Sequence, residues 1–176
     1  MRLSLAQFLV ARADVGANLS KINELATQAR ANNSELLCLS EMCTTGFDWA
    51  YNKANLDDVG AQLESIAQIA KKHSIAICGS FLEKTESGNA ANCFHYFDSD
   101  GTVIARYRKL HLLTLFNEQK HVEAGNECVT LDAKQGKFGA SICYDLRFPE
   151  LYRRNTEAGA LLHFLPAAFP HPRLEH

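Results

Sequence analysis

Phe138-Gly-Ala-Ser-Ile-Cys143-Tyr-Asp-Leu-Arg147-Phe-Pro149-Glu150 reads as a strand of small residues, then a cysteine at a turn, then a proline suited to the first turn of a helix. Strand ends that run into special turns are where α/β proteins place reactive groups. Downstream, 151–157 continues as a helix and 160–165 as a buried strand. Upstream, 127–132 and 137–143 read as a strand pair around Lys134-Gln-Gly136. The cysteine therefore sits where antiparallel pairing gives way to strand-helix alternation.

The rest of the chain alternates in the same way. Residues 3–8 read as a strand, and Val15, Leu19, Ile22, Leu25, Ala26 and Ala29 then recur at helical spacing up to Asn32-Asn33. Leu36-Leu-Cys-Leu39 is all apolar, as in strands buried on both faces. Val59, Leu63, Ile66, Ile69 and Ala70 mark a second amphipathic helix. Residues 75–83, 91–98 and 102–108 then read as consecutive strands, with turns at Glu86-Ser-Gly-Asn89 and Ser99-Asp-Gly101. The pattern defines one mixed α/β domain over 1–176, with helices flanking parallel and antiparallel strands.

Composition narrows the classes. With 176 residues and 47% hydrophobic content, the chain can bury one substantial core. Lysine plus arginine number 18 against 20 acids, so no nucleic-acid partner is implied. No segment approaches the ~20 apolar residues of a membrane span. The opening Met1-Arg2 and its apolar run resemble a signal peptide only superficially, because Gln7, Arg12 and Asp14 interrupt the pattern. The six cysteines (38, 43, 78, 93, 128 and 143) form no Cys-x-x-Cys pair, which leaves neither zinc spacing nor a redox motif. A reducing cytoplasm is the expected compartment.

Two further segments join the first. Glu41 follows an apolar strand and precedes a loop ending at Gly46, and Arg106-Tyr-Arg-Lys109-Leu-His111-Leu is a basic cluster at a strand end. Each alone would pass as solvated surface. In this order, the E-x-x-x-x-G loop, the R-K-x-H-L segment and the I-C-Y-D-L-R-F-P-E block resemble the signature regions of the nitrilase superfamily of amidases and nitrile-type hydrolases. The resemblance runs from Leu3 to Phe169, and Leu162-His-Phe-Leu-Pro-Ala-Ala-Phe169 looks like the family's next strand and loop.

That resemblance implies a four-layer α-β-β-α sandwich and a set of roles. Cys143 would be the nucleophile, its thiol pKa lowered from ~8.5 by the positive end of a following helix. Glu41 would be the general base and Lys109 the cation facing the oxyanion, helped by the backbone N–H of Tyr144. Glu118 is expected as a second glutamate orienting the lysine, with Glu123 as the alternative. His111 is expected to be a structural hydrogen-bonding residue, Cys43 a small loop residue, and Cys38, Cys78 and Cys93 core. A thioester route needs no metal or cofactor.

The closest likeness is to the bacterial omega-amidase subgroup, which implies a small dicarboxylic acid monoamide such as 2-oxoglutaramate, with water as second substrate. Arg147, four residues past the cysteine, could clamp its carboxylate through paired hydrogen bonds, or else form an ion pair with Glu150. Hydrolysis of N-carbamoyl compounds, other amides or nitriles, and a catalytically silent binding or assembly module, are the competing expectations. Relatives normally continue past this point, so the fold is expected to be incomplete at its C-terminal end, with Leu174-Glu-His176 either native or a tag remnant. A homodimer or larger homo-oligomer is the expected assembly.

Overall fold

The computed structural model of the chain describes residues 1–169. The tail 174–176 lies outside them. Along the chain come β1 (Leu3–Leu5), α1 (Val15–Ala31), β2 (Leu36–Cys38), α2 (Trp49–Ala54), α3 (Val59–His73), β3 (Ala76–Lys84), β4 (Ala90–Phe97), β5 (Val103–Arg108), β6 (Thr130–Ala133), β7 (Gly136–Ala140), α4 (Pro149–Glu157) and β8 (Leu162–Phe164).

The helical spacing of apolar residues produces the outer layers. Asp14 caps α1 by accepting the Ala17 N–H at 2.9 Å, and α3 stops at Ser74 in the left-handed conformation, φ 49°. Ile22, Ala26, Ile66 and Ala70 of these helices pack on Leu37, Ile77, Phe81 and Phe97. Burying each large side chain contributes about 1.5–3 kcal/mol. Those partners belong to a five-stranded sheet ordered β1-β2-β3-β4-β5. Its first three strands run parallel, and β3, β4 and β5 pair antiparallel.

Side chains alternate across a strand, so the same sheet offers a second apolar face. Leu36, Ala76, Phe94, Tyr96 and Tyr107 meet Leu131, Phe138, Ala140 and Phe164 of a second sheet, ordered β6-β7-β8. α4 then covers the outside of that sheet through Leu151. Gly139 permits the close approach, because a Cβ there would stand 2.9 Å from the Asn155 Cβ. The layers are α1 and α3, first sheet, second sheet, α4: an α-β-β-α sandwich.

Two expectations are corrected. The first strand is only Leu3–Leu5, shorter than 3–8, although the Ala6 N–H still bonds the Cys38 carbonyl at 2.8 Å. No α-helix begins at the cysteine. A five-residue 3-10 turn, Cys143–Arg147, comes first, and Pro149 opens α4 afterwards. The six-residue α2, started by Asp48 bonding the Tyr51 N–H at 3.0 Å, is too short to leave an apolar period in the sequence. No helix of the described residues is long and apolar enough to cross a membrane.

Topology sets the position of the site. β5 is antiparallel to β4, which is antiparallel to β3, so β5 runs in the direction of β2 and β3. The C-terminal ends of β2 and β5 therefore open on one side of the first sheet. Glu41 lies just past β2, Lys109 just past β5 and Cys143 just past β7.

Candidate active site

The loop after β2 turns sharply at Met42, φ 50°, and sends Glu41 into the interior at 2% exposure. Lys109 continues β5 by one residue, its N–H bonding the Asn92 carbonyl at 2.9 Å. Its ammonium, likewise buried, donates to Glu41 Oε1 at 2.9 Å and to both oxygens of Glu118 at 3.0 Å. Glu118 is presented by Asn117, φ 54°, and its Oε2 also accepts the Leu113 N–H at 2.7 Å. Glu123 stands away from this cluster, half-buried and bonded to Ser87 and Asn89.

Cys143 adopts φ 45°, an uncommon conformation for a residue with a side chain, which costs of order 1–3 kcal/mol and recurs at functional turns. Its N–H bonds the Pro166 carbonyl at 3.0 Å, and Glu41 Oε2 accepts the Ala168 N–H at 3.1 Å. The segment after β8 therefore braces both groups. Glu41, Lys109, Glu118 and Cys143 all line one open cleft of about 1290 Å3.

A second buried carboxylate ties the segments together. Asp145 accepts the Tyr107 hydroxyl at 2.7 Å, the Ile142 N–H at 2.8 Å, the His111 N–H at 3.0 Å and, at 2.8 Å, His111 Nδ1. The residues two before and two after Lys109 are thus fixed to the turn that carries Cys143. His111 also stacks on Phe148, with ring centroids 3.5 Å apart, so its contacts are those of a structural residue.

Electrostatics follow from the charge count. Two carboxylates and one ammonium are buried together, a net excess of one negative charge. Burial raises the Glu41 carboxyl above its ordinary range; Lys109 opposes part of the rise and Glu118 adds to it. Burial also works against the Lys109 charge, yet Glu41 and Glu118 hold it at about 12. Burial pushes the Cys143 thiol up to about 12, with Glu41 adding to the rise. The expected lowering by a helix dipole is therefore corrected. The turn at Cys143 is a short 3-10 turn, too short for a macrodipole, and Glu41 raises the thiol more than Lys109 lowers it.

The other residues singled out in the sequence fall as follows. Tyr144 stands at the start of the 3-10 turn, where backbone N–H groups have no partner within the turn, and its ring packs edge-on against Phe148. Arg147 is exposed, is not among the residues lining the cleft, and makes no ion pair among the described residues, with Glu150 included. Cys43, Cys78 and Cys93 are buried; Cys38 is half-buried and, with Cys78, reaches the cleft wall.

Sequence reading missed three contributors. Asn92 of β4 donates to Glu41 and Glu118, Asp145 makes the strap just described, and Arg12 is the one guanidinium among the described residues lining the cleft. Asp145 lay inside the quoted block, but a lone asparagine in a strand and an arginine in a loop give no signal.

This combination of fold and buried acid, cation and thiol defines a class. The chain belongs to the carbon-nitrogen hydrolase family, whose profile matches residues 2–174. It is 32% identical over 175 residues to a 2-oxoglutaramate amidase of Bacillus subtilis (strain 168), covering 99% of this chain and 67% of that protein. A deaminated glutathione amidase of Dictyostelium discoideum is 35% identical over 170 residues, covering 86% of this chain and 58% of its own length. An omega-amidase of Xenopus laevis is 30% identical, with coverages of 96% and 63%. Among solved structures, the amidase of Nesterenkonia sp. AN1 superposes with a TM-score of 0.91 at 25% identity, over 98% of this chain and 68% of that one. The chain thus spans roughly three fifths to two thirds of the length of these relatives.

Proposed function

We propose that this chain carries the site of a thiol-dependent amidase that hydrolyses the C–N bond of a small carboxylated amide, of the 2-oxoglutaramate type, and releases ammonia. The observation that carries the reading is the meeting of Glu41, Lys109 and Cys143 in one cleft, from three distant segments. The relatives named as 2-oxoglutaramate amidase and omega-amidase support the substrate class.

The chemistry follows from the resting charges. The thiol keeps its proton until a carbonyl carbon lies against the sulfur, and Glu41, a stronger base than a solvated carboxylate, then accepts that proton as the C–S bond forms. The negative charge moves onto the carbonyl oxygen, where the Lys109 ammonium and the Tyr144 N–H stabilise it. Collapse breaks the C–N bond, and the proton held by Glu41 leaves with ammonia. Water then gives a proton to Glu41 and attacks the thioester, and the proton returns to sulfur as the carboxylic acid departs. Glu118, bonded through both oxygens, keeps Lys109 aimed while Glu41 changes charge.

The test is ammonia release from 2-oxoglutaramate and a panel of uncharged, N-carbamoyl and nitrile substrates. Cys143→Ala should lower kcat by about 10^4-fold or more. Activity surviving that change sinks the nucleophile assignment, and a preference for uncharged or carbamoyl substrates sinks the substrate class. Arg147, the clamp expected from the sequence, stands outside the cleft lining, so the substrate carboxylate is proposed to meet Arg12. Arg12→Ala should raise KM about tenfold for 2-oxoglutaramate and leave an uncharged amide unaffected, whereas the same selective loss in Arg147→Lys instead would return the clamp to the turn after Cys143.

Pairing of copies is part of the proposal. Leu5, Leu9 and Leu161 expose apolar surface that favours association, and sedimentation at monomer mass across a concentration series would remove it.

A further inference from the structure

Every polar group around Glu41 has a task in the reaction just proposed except one. Asn92 is fully buried on β4, opposite Leu82 of β3, and its side chain faces the acids rather than the core. Its Nδ2 donates to Glu41 Oε1 at 2.9 Å and to Glu118 Oε1 at 3.3 Å. Its Oδ1 accepts the Ser80 hydroxyl, and Ser80 Oγ in turn accepts the Met42 N–H at 3.3 Å. Ser80 has given its only proton to that oxygen, which fixes the amide with its NH2 toward the carboxylates. The backbone carbonyl of the same Asn92 holds the Lys109 N–H.

We infer that Asn92 is a positioning residue for the amidase reaction: by occupying Glu41 Oε1 together with Lys109, it leaves Glu41 Oε2 as the oxygen that exchanges the proton with Cys143. A carboxylate oxygen has two in-plane lone pairs. On Oε1 both are taken, by the ammonium at 2.9 Å and by the amide at 2.9 Å. On Oε2 one is taken, by the Ala168 N–H at 3.1 Å, and one is free. Asn92 also adds a donor without adding charge. A second cation at that position would lower the Glu41 carboxyl against the rise that burial produces, and an apolar residue would leave Oε1 one donor short. This inference rests on the amidase reading above.

The titratable groups facing Glu41 are Lys109 at the end of β5, Glu118 and Cys143. Loss of a hydrogen bond to the ionised form favours the protonated form, so removing the Asn92 amide must move Glu41 upward. In the full chain, Asn92→Ala is expected to shift the acid limb of the kcat/KM profile for 2-oxoglutaramate up by about one pH unit. The kcat at the optimum should fall about tenfold, with KM nearly unchanged. Asn92→Asp, of the same shape, should shift the limb further, because it adds a third carboxylate. Ser80→Ala frees the amide to turn and should shift it in the same direction by less, and this variant serves if Asn92→Ala lacks a cooperative melt.

The pH dependence of Cys143 alkylation by iodoacetamide, followed by mass spectrometry, reads the same base without turnover. If wild-type protein releases no ammonia, the amidase reading fails while this second readout still tests Asn92. A folded Asn92→Ala protein whose acid limb and alkylation profile both coincide with wild type overturns the inference. A parallel drop in kcat at every pH, with no displacement, overturns it as well, because that is what a purely structural residue would give.

Discussion

A buried ammonium shared by two carboxylates is the residue-scale feature from which the chemistry follows. Lys109 meets Glu41 and Glu118 at 2.9 and 3.0 Å with almost no solvent contact, so the trio carries one negative charge more than it can neutralise. Removing the cation leaves two buried carboxylates unpaired, and Lys109→Met should cost about 3–5 kcal/mol. Removing one acid relieves the excess, so Glu41→Gln should leave stability unchanged or raise it by about 1 kcal/mol while abolishing activity. Urea midpoints at constant slope measure both. Opposite signs are expected, and equal losses would mean that the charge excess is not there. The pH dependence follows. Lys109 is held above its ordinary value, so its stabilisation is complete below ~10.4 and lost as pH rises through about 12. Glu41 is also raised, so its favourable contribution is present at acid pH and lost as pH rises through its folded value; the advantage of Glu41→Gln should grow from acid to neutral pH.

At the scale of elements, the question is what holds three strand ends in register. Asp145 holds two of them, joining β5 and its following loop to the cysteine turn with four accepted hydrogen bonds, while Lys109 and the Ala168 N–H hold Glu41 past the third. Asp145→Asn would aim an NH2 at donors and leave at least one unpaired, a loss of about 2–3 kcal/mol in urea unfolding. A change under about 0.5 kcal/mol would show that the strap does not bear on stability. This scale also shows what the sequence could tell. α1 and α3 were legible because their buried residues recur at helical spacing over 17 and 15 residues. The hairpins of β3, β4 and β5 were legible from Gly88 and Gly101, whose φ of 84° and 89° the turns require. The short α2 has no period to read. The 3-10 turn at Cys143 was hidden because it depends on Asp145 reaching the Ile142 N–H, and on the segment after β8 supplying the Pro166 carbonyl, both contacts of the folded chain.

For the whole molecule, four layers bring Glu41, Lys109 and Cys143 to one opening although 101 residues lie between the first and the last in sequence. Three motifs taken in order singled out these positions, the resemblance of the run after the lysine singled out Glu118, and the fold brings all four to the cleft. Asn92 could not be singled out, since a strand asparagine acquires its meaning only when folding brings its amide against Glu41 and Glu118. The sandwich also explains the raised thiol: the same burial that assembles the site pushes the sulfur's pKa up. The proposed thioester route makes the covalent intermediate the most direct thing to observe. Protein quenched in acid during a single turnover of 2-oxoglutaramate should gain the mass of the substrate less ammonia, on the peptide containing Cys143, with one equivalent of ammonia released per modified chain. Ammonia released with no adduct at any quench time, or an adduct that persists in Cys143→Ala, would contradict it.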